Sequence, residues 1–157
     1  LSGPGAAATP SGPAAAVKAA DPSFDEAGFV NGARGAFEII VNAFAAGDKP
    51  ALQPLLSKDV FDRFAEAIDQ RLKAKETLQT NLVSIRSAEL VESAVEGKTA
   101  LVTVKFVSDQ SNVTRGADGA VREGDPQRTE EHIDSWTFAR PLRSSNPNWT
   151  LVATHNP

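Results

Sequence analysis

The chain has 157 residues, of which 41% are hydrophobic and 23% are charged, and this is enough apolar material for one globular domain. Its net charge of −4 argues against nucleic-acid binding by counterion release, because that mode needs a surplus of lysine and arginine. The absence of cysteine excludes disulfides, thiolate metal sites and thiol nucleophiles.

The start of the chain predicts a tether rather than part of the core. Leu1–Pro22 consists almost entirely of Ala, Gly, Pro, Ser and Thr, so residues 1–22 are predicted to form a flexible linker and residues 23–157 the folded domain. No apolar run approaches the roughly 20 residues that a membrane-spanning helix needs. Because the chain begins at Leu1 and contains no methionine, we expect a removed upstream segment, which would hold any membrane anchor.

The first helix is predicted over Phe24–Phe44, where apolar residues recur at helical spacing. Three glycines within it, at Gly28, Gly32 and Gly35, weaken such a helix. They predict either close packing against another backbone or fraying at the helix start. Gly47 is predicted to end the helix.

Two further helices follow in the pattern. Asp48 is predicted to cap a short second helix, and Ser57 a long third helix that ends around Thr80. The third helix carries acidic residues early and basic residues late, as the helix dipole favours. The alternative interpretation of its basic end is a contact patch for an acidic partner or anionic lipid, formed by Arg71, Lys73 and Lys75.

After Asn81 the apolar period changes from 3.6 to 2, which indicates strands. Helices followed by an antiparallel meander are typical of an α+β fold in which a curved sheet packs on a helical layer and encloses a tapered cavity. The predicted strand segments are Leu82–Val95, Val102–Phe106, the arms Asn112–Arg115 and Val121–Arg122 of a hairpin at Asp118–Gly119, His132–Ala139 and Trp149–Thr154.

Alternate inward residues predict an apolar pocket between the helices and the sheet, with plain core packing as the competing interpretation. The predicted pocket residues are Phe37, Ile40, Phe44, Phe64, Ile68, Val104, Phe106, Trp136 and Phe138.

His132 and Asp134 lie two apart on a predicted strand and therefore share a face. They are either a surface pair beside Glu130 and Glu131, a proton-transfer pair inside the cavity, or, together with His155, zinc ligands. No nucleophile elbow, phosphate-binding glycine loop or zinc-protease motif occurs, so we predict no catalytic residue, no metal and no cofactor.

Three stretches in this order resemble a known family. They are GARGAFEIIVNAFAAGD at Gly32–Asp48, LLSKDVFDRF at Leu55–Phe64, and DGAVREGDP, SWTFAR and NPNWTLVAT from Asp118 onward. The series is similar to the carboxy-terminal domain of the forty-four-kilodalton peripheral subunit of the mitochondrial inner-membrane protein translocase, and more so to its bacterial relatives. The resemblance covers about Phe24 to Thr154.

The resemblance implies a nuclear-transport-factor-2-like cone with a large apolar pocket. It also implies peripheral association with an inner membrane, affinity for cardiolipin, and a domain on the cytoplasmic side, or on the matrix side if the protein is mitochondrial. Bacterial relatives carry an amino-terminal hydrophobic segment and a low-complexity linker.

We therefore expect a non-catalytic, membrane-associated adaptor or scaffold that binds a membrane lipid, with cardiolipin among the candidates, or a protein segment. Its expected work is in protein translocation or membrane-protein assembly, and we expect no nucleic-acid partner. The competing hypotheses are a small cone-fold enzyme of the isomerase or dehydratase type that uses His132 and Asp134, and a structural module that pairs with itself through its exposed sheet face.

Overall fold

The computed structural model describes residues 11–156. In this part of the chain the helices are α1 (Ala15–Ala20), α2 (Glu26–Ala46), α3 (Lys49–Leu52), a 3₁₀ turn (Gln53–Leu55) and α4 (Lys58–Lys73). The strands are β1 (Thr77–Glu96), β2 (Thr99–Arg115), β3 (Val121–Glu123), β4 (Glu130–Pro141) and β5 (Thr150–His155). They form one antiparallel sheet in the order β1-β2-β4-β5, and β3 pairs with the end of β2.

The predicted helix signals are confirmed at three positions. Asp48 accepts the Ala51 N–H at 3.2 Å and caps α3. Ser57 accepts the Val60 N–H at 3.4 Å and caps α4. Gly47 ends α2 with φ at 70°, a left-handed conformation that glycine adopts without steric cost.

The boundary between α4 and the sheet lies earlier than the sequence predicts. The helix ends at Lys73 rather than around Thr80, and β1 begins at Thr77 rather than Leu82. The predicted hairpin arm Asn112–Arg115 is the last part of one long strand, β2. The reason is long-range pairing: the start of β1 bonds to the end of β2, far away in sequence, which local periodicity does not reveal.

The linker prediction is wrong for residues 15–20, which form α1. Val17 is 1% exposed and packs with Leu90 and Val102 in a small apolar cluster. The Ser93 hydroxyl donates to the Pro13 carbonyl at 2.6 Å and ties this segment to β1. The burial of Val17 and the hydrogen bond between Ser93 and Pro13, which are 80 positions apart, outweigh the low-complexity composition. Residues 1–10 of the predicted linker lie outside the described residues.

The glycines of α2 do not serve close packing, so that prediction is wrong. A side chain added at Gly32 or Gly35 would meet nothing within 4 Å. At Gly28 an added Cβ would collide with the Asp25 carboxylate, which caps the helix by accepting the Gly28 N–H. Gly28 therefore leaves room for the cap, and the other two open onto free space.

The sheet curves around α2 because its longest strand is irregular. The pairing of β1 with β2 shifts at three bulges, which leave Val83, Arg86 and Val91 without a ladder partner on β2. Bulges bend a strand and increase its twist. The result is the open cone that the resemblance implies, with the helices on the concave face.

The main core lies between that concave face and α2 and α4. Alternate residues of β2 point inward, and Val104 and Phe106 are fully buried. Phe37 of α2 stacks on Phe106 and Trp136, with ring centroids 4.4 and 4.6 Å apart. Within residues 11–156, no helix is both long and apolar enough to cross a bilayer.

Candidate ligand pocket

A cavity of about 260 Å³ lies between α2, α4 and one end of the sheet. Its apolar wall comes mainly from the two helices and is made of Phe37, Ile40, Val41, Phe44, Phe64, Leu78 and Trp136. The Phe44 and Phe64 rings meet edge to face at 5.2 Å, which fixes this wall.

The opposite wall is polar and is built by the strands. Thr80 donates to the Asn112 side-chain oxygen at 2.6 Å, and Asn112 donates to the Gln110 side-chain oxygen at 3.2 Å. Gln110 in turn donates to the Ser108 hydroxyl at 2.9 Å. We call these four residues the amide ladder. Gln110, Asn112 and Thr80 line the cavity, so the ladder brings hydrogen-bonding groups to an otherwise apolar space.

His132 and Asp134 also line this cavity, on the inward face of β4. They pair with Ser108 and Phe106 of β2 in the sheet register. Burial raises the pKa of the Asp134 carboxyl, and the charge of His132 partly opposes that shift. A carboxylate inside a cavity, with a histidine beside it, gives the site one negative or proton-accepting group.

A second cavity of about 420 Å³ adjoins the first and shares Leu78, Asn112 and His132 with it. Its remaining lining comes from the β3 turn and the strands around it: Ser111, Thr114, Glu123, Gly124, Asp125, Arg128 and Glu130. Three carboxylates stand against one guanidinium in this lining. The polar end of the first cavity therefore borders a more acidic space.

Five of the nine predicted pocket residues line the first cavity: Phe37, Ile40, Phe44, Phe64 and Trp136. Ile68, Val104 and Phe106 do not line it and lie only in the main core, to which Phe37, Ile40 and Trp136 also belong. They satisfy the same inward periodicity as the lining residues, but they lie at other positions in the core, away from the cavity. Periodicity alone does not separate the two classes.

Phe138 lies at a different place. It lines a groove of about 460 Å³ beside the start of α2, together with Phe29 and Trp149. The Phe29 ring meets Phe138 at 5.9 Å and Trp149 at 4.8 Å, both edge to face. Phe138 therefore belongs to an aromatic cluster at the opposite side of Trp136 from the amide ladder.

The predicted basic patch is not a unit, because Arg71 has an internal role. Its guanidinium donates to the Phe44 carbonyl at 2.6 Å and to the Ala45 carbonyl at 3.3 Å, at the end of α2. It also lies over the Phe44 ring at 4.7 Å. Partial burial lowers the pKa of Arg71. Lys73 and Lys75 are exposed, so a contact role for them stays a prediction.

The ladder residues Thr80, Gln110 and Asn112 were not among the predicted pocket residues. The signal was present, because Phe106, Ser108, Gln110 and Asn112 continue one period of two along β2. The polar character of these side chains concealed it, since an inward strand face is expected to be apolar. In the part of the chain that the structure describes, no three His, Asp or Glu residues are grouped to hold a metal ion.

Comparison with known proteins agrees with this architecture. The profile of the Tim44-like domain family matches residues 11–156. The probable mitochondrial import inner membrane translocase subunit tin-44 of Caenorhabditis elegans is 24% identical over 119 residues, covering 74% of this chain. The chain spans only 28% of that protein.

Among solved structures, the intermembrane space region of the chloroplast protein ARC6 is similar, with a TM-score of 0.53. The match covers 86% of this chain and 98% of that one at 12% sequence identity. A likeness at so low an identity concerns the fold alone.

Proposed function

Because this chain belongs to the Tim44-like domain family, we propose that it is a non-catalytic adaptor domain that works at a membrane. In this proposal the cavity behind α2 and α4 receives an apolar chain from a membrane lipid or a protein segment. The observation that carries it is an apolar, aromatic-walled cavity in a chain that matches the family over residues 11–156.

The cellular setting of the proposal follows from the relative. The printed name of the Caenorhabditis elegans protein assigns it to mitochondrial import at the inner membrane. By analogy, we place this domain at an inner membrane, on the cytoplasmic or matrix side, in protein translocation or membrane-protein assembly. The net charge of −4 and the internal role of Arg71 favour apolar contact over bulk attraction to anionic lipid such as cardiolipin.

Vesicle co-sedimentation tests the membrane part of this proposal. We expect the domain to sediment with neutral phosphatidylcholine vesicles as well as with cardiolipin-containing vesicles. The binding should persist at physiological salt, where the Debye length is about 8 Å, because apolar contact is not screened. Binding to cardiolipin vesicles alone, lost at that salt, would indicate an electrostatic surface contact instead. No sedimentation with either vesicle would leave only the protein-binding part of the proposal.

Two variants of α4 locate the contact. Phe64→Asp places a charge in the apolar wall of the cavity and should abolish sedimentation. Leu72→Asp is the matched control, since Leu72 is 66% exposed and lies outside the cavity, so it should bind as the parent does. Circular dichroism melts check that both variants are folded. If both lose binding, the contact is on the helix surface rather than in the cavity.

A small enzyme is the second candidate, favoured by one observation. His132 and Asp134 line the same cavity, and burial raises the pKa of Asp134, which makes its carboxylate a stronger base. Cone-fold isomerase and dehydratase substrates are the screen to apply. Turnover that disappears in His132→Ala and in Asp134→Asn, with both proteins folded, would establish this candidate and refute the non-catalytic proposal.

A further inference from the structure

We propose that the cavity behind α2 and α4 selects a single-chain amphiphile whose head group is uncharged and forms hydrogen bonds, such as a primary amide or an alcohol, over one with a carboxylate head group. The inference rests on the proposed function, in which this cavity receives an apolar chain. It adds the chemical class of that chain.

Two side chains of the amide ladder each have an N–H group that donates to no protein atom among the described residues. Gln110 is only 5% exposed, yet one of its two amide N–H groups has no protein partner among the residues described. The Asn112 amide likewise donates one N–H, to Gln110, and retains the other. Both side chains line the cavity. Because Gln110 is almost fully buried, a carbonyl or hydroxyl oxygen on a ligand is a complementary acceptor for its remaining N–H.

The charge of the cavity disfavours a carboxylate head group. Asp134 is in the lining beside His132, and among the described residues no lysine or arginine lines this cavity. The adjoining cavity adds Glu123, Asp125 and Glu130 against Arg128 alone. A carboxylate head inside the cavity would therefore face Asp134, with His132 beside it and no lysine or arginine to pair with. Asp134 instead offers acceptor oxygens to the N–H or O–H of an uncharged head.

The size and layout of the cavity favour one short chain over a protein side chain. Its 260 Å³ is near the lower end of ligand pockets, which span about 300–1,000 Å³. The apolar wall and the ladder face the same small space, so one short molecule must carry both kinds of group.

Calorimetric titration of the 157-residue chain with a matched series at neutral pH tests the proposal. The probes are octanamide, octanol and octanoate, together with N-acetyl-phenylalaninamide as the mimic of a protein side chain. We expect octanamide and octanol to bind at least about tenfold more tightly than octanoate, because only octanoate carries a negative charge that Asp134 repels. N-acetyl-phenylalaninamide should bind more weakly than octanamide.

Three variants assign the selectivity to named groups. Asp134→Asn should raise octanoate affinity by about tenfold and leave octanamide nearly unchanged. Gln110→Met keeps the side-chain length but removes the donor, so it should weaken octanamide selectively. Glu92→Gln removes one exposed carboxylate from the outer face of β1 and is the control for net charge, with no expected effect.

The outcomes separate this inference from the proposed function. Equal binding of octanamide and octanoate would overturn the selectivity while leaving an apolar pocket in place. Tighter binding of N-acetyl-phenylalaninamide would overturn the amphiphile in favour of a protein segment. Binding of none of the probes would overturn the inference, whereas vesicle sedimentation through Phe64 is a separate measurement of the adaptor role.

Discussion

Phe106→Ala is expected to lower the free energy of unfolding by about 3–5 kcal/mol, the usual cost of removing a fully buried aromatic ring. Phe106 is 0% exposed, and its ring packs on Phe37 at 4.4 Å and on Trp136 at 5.7 Å. Urea unfolding followed by far-UV circular dichroism measures the loss. In a domain of marginal stability, a loss of this size removes a large part of the total.

Phe64→Ala is the matched comparison for Phe106. Phe64 is half-buried and lines the cavity, so truncation enlarges an existing space rather than opening a new one in the core. Its cost should be smaller by at least about 1 kcal/mol, since part of the ring is not surrounded by protein. Equal losses for the two variants would contradict the division between core and cavity wall described above.

Arg71→Ala is expected to cost about 1–3 kcal/mol, because hydrogen bonds made by a charged group contribute more than neutral ones. The guanidinium satisfies the Phe44 and Ala45 carbonyls at the end of α2, where a cation also complements the helix dipole. Lys73→Ala serves as control on the same helix end and should change stability by no more than about 0.5 kcal/mol.

The same urea titrations distinguish two roles for Arg71. If neither Arg71→Ala nor Lys73→Ala changes the free energy of unfolding, the hydrogen bonds from Arg71 to α2 contribute nothing to stability. Arg71 is then again a candidate contact residue of the basic patch. If only Arg71→Ala is destabilising, the patch consists of Lys73 and Lys75 alone. Vesicle binding of Lys73→Ala then measures what that smaller patch contributes.

Local signals in the sequence were sufficient for the end of α2 and for the starts of α3 and α4. Asp48, Ser57 and Gly47 act within one helical turn of themselves, through side-chain caps or a left-handed backbone, so their neighbours settle the outcome. The α+β order and the inward set of aromatic residues follow from periodicity in the same way. Predicting these features required no knowledge of tertiary contacts.

Long-range contacts account for what the sequence did not reveal. The local pattern predicts Thr77–Thr80 as the end of a helix, but these residues form a strand because they pair with the end of β2. The composition around Val17 predicts a linker, but Val17 is buried because it packs against Leu90 and Val102. Likewise, Phe106 and Trp136 both point inward from the sheet, yet only Trp136 lines the cavity. Which of them does so depends on the helix side chains that pack over each ring.

The irregularity of β1 has a second effect, on association between chains. In the sheet order β1 lies at an edge, and a 20-residue edge strand is long enough to recruit a strand from another molecule. The bulges at Val83, Arg86 and Val91 divide it into short stretches with changed register. An incoming strand would find only brief runs of matching N–H and C=O groups. The distortion that shapes the cone thus also protects the domain from edge-to-edge aggregation.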